Sequence, residues 1–65
     1  MENYKERLLV EFRQLTERIT LLNSFINSSQ PTNIDKEQLE LMHKQHESMC
    51  QYEDILFNRI LLMMK

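Results

Sequence analysis

The sequence predicts an all-α protein, an antiparallel helical hairpin that assembles into a compact helical homo-oligomer. Its 65 residues include no glycine and one proline, and 42% of them are hydrophobic. Apolar residues recur at alternating spacings of three and four, which is the period of a helix that buries one face. One proline-containing segment separates two such stretches, so two helices joined by a short turn are expected.

The first helix is expected over about residues 3–27. Its apolar positions form a heptad-type stripe, and further apolar residues widen the surface beyond one seam. The stripe consists of Leu8, Phe12, Leu15, Ile19, Leu22 and Ile26, and the additional apolar residues are Leu9, Val10, Leu21 and Phe25. An apolar surface of this width is expected to pack against more than one neighbouring helix.

A turn is expected over about residues 28–34, where Asn, Ser and Pro cluster. The second helix is expected over about residues 35–64, with Asp35 as its N-cap and Gln38 completing a capping box. Ile34 and Leu39 occupy the positions of a hydrophobic staple. The second apolar stripe comprises Leu39, Met42, His46, Met49, Leu56, Ile60 and Met63, and Glu53 interrupts it. Residues 1–65 are therefore expected to form a single helical-hairpin domain.

The small size of the chain indicates that association supplies part of its stability. Two helices cannot bury stripes this wide by themselves, and a lone cysteine, Cys50, cannot form an internal disulfide. A single reduced cysteine without a recognisable signal peptide favours a cytosolic, reducing compartment. The net charge of −2 argues against a general binder of DNA or RNA polymers. The longest apolar stretch, residues 55–64, is interrupted and too short to span a membrane.

Two arginines lack an acidic residue within helical reach. Other cations can pair inside their own helix, as Arg7 can with Glu11. Arg18 and Arg59 instead have only uncharged residues three and four positions away. They extend into water or pair with a carboxylate on another helix, or alternatively they supply charge to a bound anion. A guanidinium group suits phosphate because its planar fork donates two hydrogen bonds at once.

A histidine- and cysteine-containing face of the second helix offers a competing chemistry. His43, His46, Glu47 and Cys50 share this face, and ligands of these types can bind zinc. Polar surface residues of a packed helix are the favoured interpretation, since a zinc site made by one helix is rare. No set of nucleophile, base and oxyanion donors is recognisable, so neither enzymatic activity nor a metal or cofactor is predicted.

Several short groups of residues follow one another in a defined order along both helices. They are Glu6-Arg7-Leu8, Glu11-Phe12, Leu15, Arg18-Ile19 and Phe25-Ile26, followed by Met49, Tyr52, Ile55-Leu56 and Arg59-Ile60. Their order and spacing resemble the anti-CBASS sponge family of small phage proteins, over nearly the whole chain. CBASS is a bacterial defence that signals phage infection with cyclic oligonucleotides.

The resemblance implies a homohexamer that binds cyclic di- or trinucleotides in pockets between subunits, in the cytoplasm of the host bacterium. Such a protein does not cleave its ligand, and it blocks activation of the CBASS effector by lowering the free signal. Phe12 matches an aromatic residue that stacks on a base, and Arg59 matches an arginine suited to a phosphate. The family often has a lysine where this chain has Asn27. Ser28 or Arg18 then supplies the missing contact, or the ligand preference differs.

A structural or adaptor role is the alternative interpretation. A helical hairpin can use the same apolar stripes to bind another protein. Arg18 and Arg59 would then pair with acidic residues across that interface.

Overall fold

The computed structural model describes residues 3–28 and 34–65, which form two long helices packed side by side. Helix α1 spans Tyr4–Ile26 and helix α2 spans Lys36–Met63. They run antiparallel in an elongated body of 46 × 20 × 16 Å. This is the all-α helical hairpin that the sequence predicts. The proline-containing segment of the expected turn, residues 29–33, lies outside the described residues.

The ends of the helices are set by backbone and short polar groups. Asn3 is the N-cap of α1, and its Oδ1 accepts a hydrogen bond from the backbone N–H of Glu6 at 3.0 Å. Asp35 is the N-cap of α2, and its carbonyl oxygen accepts from the N–H of Leu39 at 2.9 Å. The Asp35 side chain makes no capping hydrogen bond, so the predicted capping box with Gln38 does not form. Both side chains are exposed, where water competes for their polar groups.

The core lies where the two apolar stripes meet. Among the described residues, four hydrophobic side chains are buried, and Leu56 has no exposed surface. The buried residues are Leu8, Leu15, Leu56 and Ile60, with Phe12, Ile19, Met49 and Met63 packed around them. All eight belong to the predicted stripes, so the heptad spacing correctly identified the faces that pack.

Glu53 occupies the position at which the second stripe was interrupted. Its side chain is half-buried, and its Oε2 accepts a hydrogen bond from the hydroxyl of Thr16 on α1 at 2.7 Å. His46, Glu53 and Ile60 are seven residues apart, so the heptad spacing runs through the glutamate. A polar residue within an apolar seam specifies register, because other alignments leave it without its partner. The Thr16–Glu53 bond therefore helps to align the two helices.

Removing the Thr16 hydroxyl should destabilise the hairpin more than removing both polar groups. Thr16→Val should lower the free energy of unfolding by about 1–2 kcal/mol, because the half-buried Glu53 loses its donor. The double variant Thr16→Val with Glu53→Leu should be near neutral or stabilising, because it completes the apolar stripe. Denaturant titration checks both expectations.

The matched control is Thr20→Val, because the Thr20 hydroxyl bonds only within α1, to the carbonyl oxygen of Thr16 at 3.0 Å. A double variant that is less stable than Thr16→Val alone would contradict the role assigned to the pair.

Much apolar surface remains uncovered on this hairpin. Eleven large hydrophobic residues are exposed within the described ranges, four on α1 and the others on α2 and its C-cap, among them Leu62 at 65% and Met64 at 74%. For chains below about 70–80 residues, one core rarely supplies more than about 3–5 kcal/mol. The hairpin thus leaves apolar surface uncovered, as the sequence predicts, and the oligomer that would cover it stays a prediction. Over the residues described, neither helix combines the length and apolarity needed to cross a membrane.

The stability of the folded protein should depend on its concentration. An oligomer that unfolds to monomers gains stability by mass action, so the melting temperature should fall on dilution. Thermal melts over a hundredfold concentration range, with sedimentation at each concentration, provide the measurement. A stably folded monomer at micromolar concentration would contradict the expected architecture.

Candidate anion-binding site

One edge of the hairpin carries two facing columns of side chains. On α1 the column consists of Tyr4, Glu11 and Arg18, each seven residues from the next. On α2, Tyr52 and Arg59 are likewise seven residues apart. Residues at this spacing lie on the same side of a helix. The columns meet because the Tyr52 hydroxyl donates to Oε2 of Glu11 and Arg59 lines a groove with Tyr4 and Glu11. We name these five residues the arginine edge.

Arg59 lies at the border of two shallow grooves. The first groove has a volume of about 350 Å³ and is lined by Tyr4, Arg7, Leu8, Glu11 and Arg59. The second has a volume of about 220 Å³ and is lined by Tyr4, Leu8, Arg59, Leu62 and Met63. The Arg59 side chain therefore has a polar groove on one side and an apolar groove on the other.

The polar groove contains more positive than negative charge. Arg7 comes from α1 and Arg59 from α2, and both side chains are exposed. Two guanidinium groups that line one groove can share a bound anion, each through paired N–H donors. Glu11 is the acidic residue in the same groove. Packing thus gives Arg59 an acidic neighbour on the other helix, which its own helix lacks.

Phe12, the residue predicted to stack on a base, packs mainly within the hairpin. It is half-buried against the core, and its ring centroid lies 6.1 Å from that of Phe57, with the planes tilted by 35°. Such aromatic pairs stabilise packing. It lines neither groove beside Arg59. The aromatic residue that lines both is Tyr4, which is 60% exposed.

Sequence reasoning missed Tyr4 and Arg7 as site residues. Arg7 has Glu11 four residues ahead of it, and this spacing predicts a local partner for it. Tyr4 stands outside the apolar stripe and shares no motif with Arg59. A signal was nevertheless present, because Tyr4, Arg7 and Glu11 follow one another at helical spacing on one side of α1.

Arg18 lies on the arginine edge, beyond Glu11. Its side chain is exposed. At about 1.5 Å of rise per residue, it is displaced from Glu11 by about 10 Å along the axis of α1. The fold therefore brings the two predicted arginines, Arg18 and Arg59, to the same edge of the molecule.

Asn27 and Ser28 lie at the opposite end of α1 from the Arg59 groove. By the same rise, Asn27 is about 24 Å beyond Glu11, so a single subunit does not bring it to that groove. The Asn27 amide donates to Oδ1 of Asn23 at 3.0 Å, and the Ser28 hydroxyl donates to the carbonyl oxygen of Phe25 at 2.7 Å. In the isolated hairpin, the Ser28 side chain caps a carbonyl at the end of α1, and the Asn27 side chain bonds to another side chain of the same helix.

The face of α2 that carries His43, His46, Glu47 and Cys50 shows one sulfur contact. The Cys50 sulfur lies 3.9 Å from Nε2 of His46. Within the described residues, no three His, Cys, Asp or Glu side chains are close enough together to hold a metal ion. The zinc interpretation therefore gains no support from this part of the chain.

The fold and this edge define a class of protein: a small all-α hairpin with an exposed cationic groove and uncovered apolar faces. The chain belongs to the Sequestin family, whose model matches residues 2–62. This match confirms the resemblance to the phage anti-CBASS sponge family. The family name indicates sequestration of a ligand, and hence binding rather than catalysis. No curated protein and no solved structure matches the chain.

Proposed function

We propose that this protein binds and sequesters cyclic di- or trinucleotide second messengers without cleaving them. By lowering the free signal in an infected bacterium, it prevents activation of the CBASS effector. The observation that carries the proposal is that Arg7 and Arg59, from different helices, line one exposed groove. The family match and the resemblance to sponge proteins support the class of ligand.

The arginine edge, together with Arg7 of the polar groove, suits a ligand with more than one phosphate. A phosphodiester carries one negative charge and accepts hydrogen bonds, so Arg7 and Arg59 can hold it between their guanidinium groups. Arg18 lies about 16 Å from Arg7 along the helix axis, so a ligand that extends past Glu11 is needed to bring a second phosphodiester to it. Cyclic di- and trinucleotides contain two and three such groups.

The apolar parts of the site suit nucleobases. The exposed ring of Tyr4 borders both grooves, and a base stacked on an aromatic ring gains about 1–3 kcal/mol. Leu62 and Met63 add an apolar surface on the far side of Arg59. The resemblance assigns base stacking to Phe12, and in that role the part of its ring that remains exposed would contact the ligand.

A second subunit is needed to complete the proposed pocket. The grooves are shallow, whereas sites for small ligands enclose most of the ligand surface. Asn27 and Ser28, whose roles come from the resemblance, are too far from the Arg59 groove within one chain. Another copy can bring them to it, in agreement with the homohexamer that the resemblance implies.

The exposed apolar residues also fit the alternative of an adaptor that binds another protein. In that case Arg18 and Arg59 pair with acidic residues of the partner protein across the interface. Binding of a cyclic nucleotide distinguishes the two functions, because an adaptor gains no stability from the nucleotide.

The test of the proposed function is isothermal titration against a panel of cyclic di- and trinucleotides. Linear dinucleotides and ATP serve as controls for a general affinity for phosphate. We expect cyclic ligands to bind and to raise the melting temperature, since a ligand specific for the folded state stabilises it. Ligand extracted after heat denaturation should be intact. Linear product would show that the protein is an enzyme, and no binding across the panel would favour the adaptor.

Arg59→Ala should weaken cyclic nucleotide binding while leaving ligand-free stability nearly unchanged or slightly higher. In a pocket closed by a second subunit the Arg59–phosphate pair is buried, and loss of one member of a buried charge pair costs about 2–5 kcal/mol, of which the lower figure is roughly thirtyfold in affinity. Arg59→Lys should recover only part of this, because an ammonium group keeps the charge but lacks the planar fork. Titration gives the affinities, and melts with sedimentation give stability and oligomer mass.

Arg13→Ala is the matched control, because Arg13 is exposed, lines neither groove beside Arg59 and has Glu17 four residues ahead. It removes the same charge and should leave affinity almost unchanged. Unaltered titration curves for Arg59→Ala would refute the role of Arg59 in binding. A lower melting temperature with disturbed assembly would instead assign that residue to structure.

A further inference from the structure

Glu11 is an unexpected residue in a groove for anions. Its carboxylate lines the same groove as Arg7 and Arg59, where it opposes the binding of phosphate. The orientation of the Glu11 side chain is fixed by a hydrogen bond between the helices, in which the Tyr52 hydroxyl of α2 donates to Oε2 of Glu11. An exposed glutamate without such a donor would be free to turn towards water.

The Glu11 carboxylate has more acceptor sites than the single one that the Tyr52 hydroxyl occupies. An ionised carboxylate offers about four acceptor sites and no donor. Tyr52 occupies one site on Oε2, so the other oxygen can still accept hydrogen bonds. A phosphodiester cannot satisfy it, because at neutral pH its oxygens are acceptors as well. Arg7 and Arg59 line the same groove and can donate to Glu11 until a phosphodiester engages them. Once they hold the phosphodiester, a ligand group that pairs with Glu11 must be a donor.

The position of Glu11 indicates which part of a nucleotide supplies that donor. Glu11 lies between Tyr4 and Arg18 in the α1 column, with Arg59 lining the groove from α2. Tyr4 and Glu11 are separated by about 10 Å along the helix axis. With a phosphate held by Arg7 and Arg59 and one base on Tyr4, a second base of the ring can extend towards Glu11.

We propose that Glu11, oriented by Tyr52, makes the groove selective for cyclic nucleotides whose bases carry an exocyclic amino group. Adenine, guanine and cytosine have such a group, and uracil does not. An exocyclic amine donates without competing for donors, so it pairs well with a carboxylate. This inference rests on the proposed sequestration of cyclic nucleotides and adds a determinant of base preference to it.

The test compares cyclic di-AMP with cyclic di-UMP by isothermal titration. The wild-type protein should bind cyclic di-AMP at least about tenfold more tightly, the effect of one hydrogen bond to a charged acceptor. Glu11→Met keeps a long helix-forming side chain and removes the acceptor. It should lower the affinity ratio by about tenfold or more, leaving the preference that the larger adenine ring gains from stacking on Tyr4, with cyclic di-UMP bound at least as tightly as by the wild type. Tyr52→Phe should lower the ratio by roughly threefold, as only the orienting hydroxyl is lost.

Glu40→Met is the matched control, since Glu40 is an exposed glutamate of α2 that lines neither groove. The ratio of its affinities for cyclic di-AMP and cyclic di-UMP should equal that of the wild type. An unchanged ratio in Glu11→Met would overturn the inference. Equal losses for both ligands with a lower melting temperature would also overturn it, because they would assign Glu11 to structure. Equal wild-type affinities would refute base selection but leave sequestration standing, whereas binding of neither ligand would overturn both proposals.

Discussion

The pairing of the two apolar stripes determines which side chains can meet anywhere else on this hairpin. Leu8 and Leu15 of α1 are buried with Leu56 and Ile60 of α2, and this seam sets the antiparallel alignment. The residues beside the seam are then placed opposite one another as a consequence. The cationic groove is thus a product of core packing, although none of its charged groups belongs to the core.

The periodicity of the sequence was sufficient to predict the fold. Each buried residue lies at a predicted stripe position, because burial of one face imposes the helical period on the choice of residues. Glu53 was interpreted as an interruption because hydropathy alone cannot show that Thr16 donates to it across the seam. The prediction of a capping box was wrong for a related reason. The sequence pattern identifies Asp35 as the N-cap, but it does not show whether the exposed Asp35 side chain bonds to the helix or to water.

The candidate site was only partly predictable, because it is formed between helices. Spacing within α2 singles out Arg59 as an arginine without a local acidic partner, but it cannot supply the neighbours from α1 that share its groove. Spacing places those neighbours, Tyr4, Arg7 and Glu11, on one side of α1, but only the alignment of the helices shows that Arg59 lies beside them. Spacing within α1 also gave no sign that Phe12 pairs with Phe57, since the two rings are 45 residues apart in sequence.

The Thr16–Glu53 bond has a consequence for how variation in this family should be interpreted. If α2 slid by one heptad, Arg59 would leave the space between Tyr4 and Glu11, and Tyr52 would lose its acceptor. Thr16 lines neither groove beside Arg59, yet it helps to fix the alignment on which the composition of both depends. Substitutions there can change ligand preference at a distance without altering any contacting residue. Comparisons of homologues restricted to groove residues would therefore overlook part of what distinguishes one member from another.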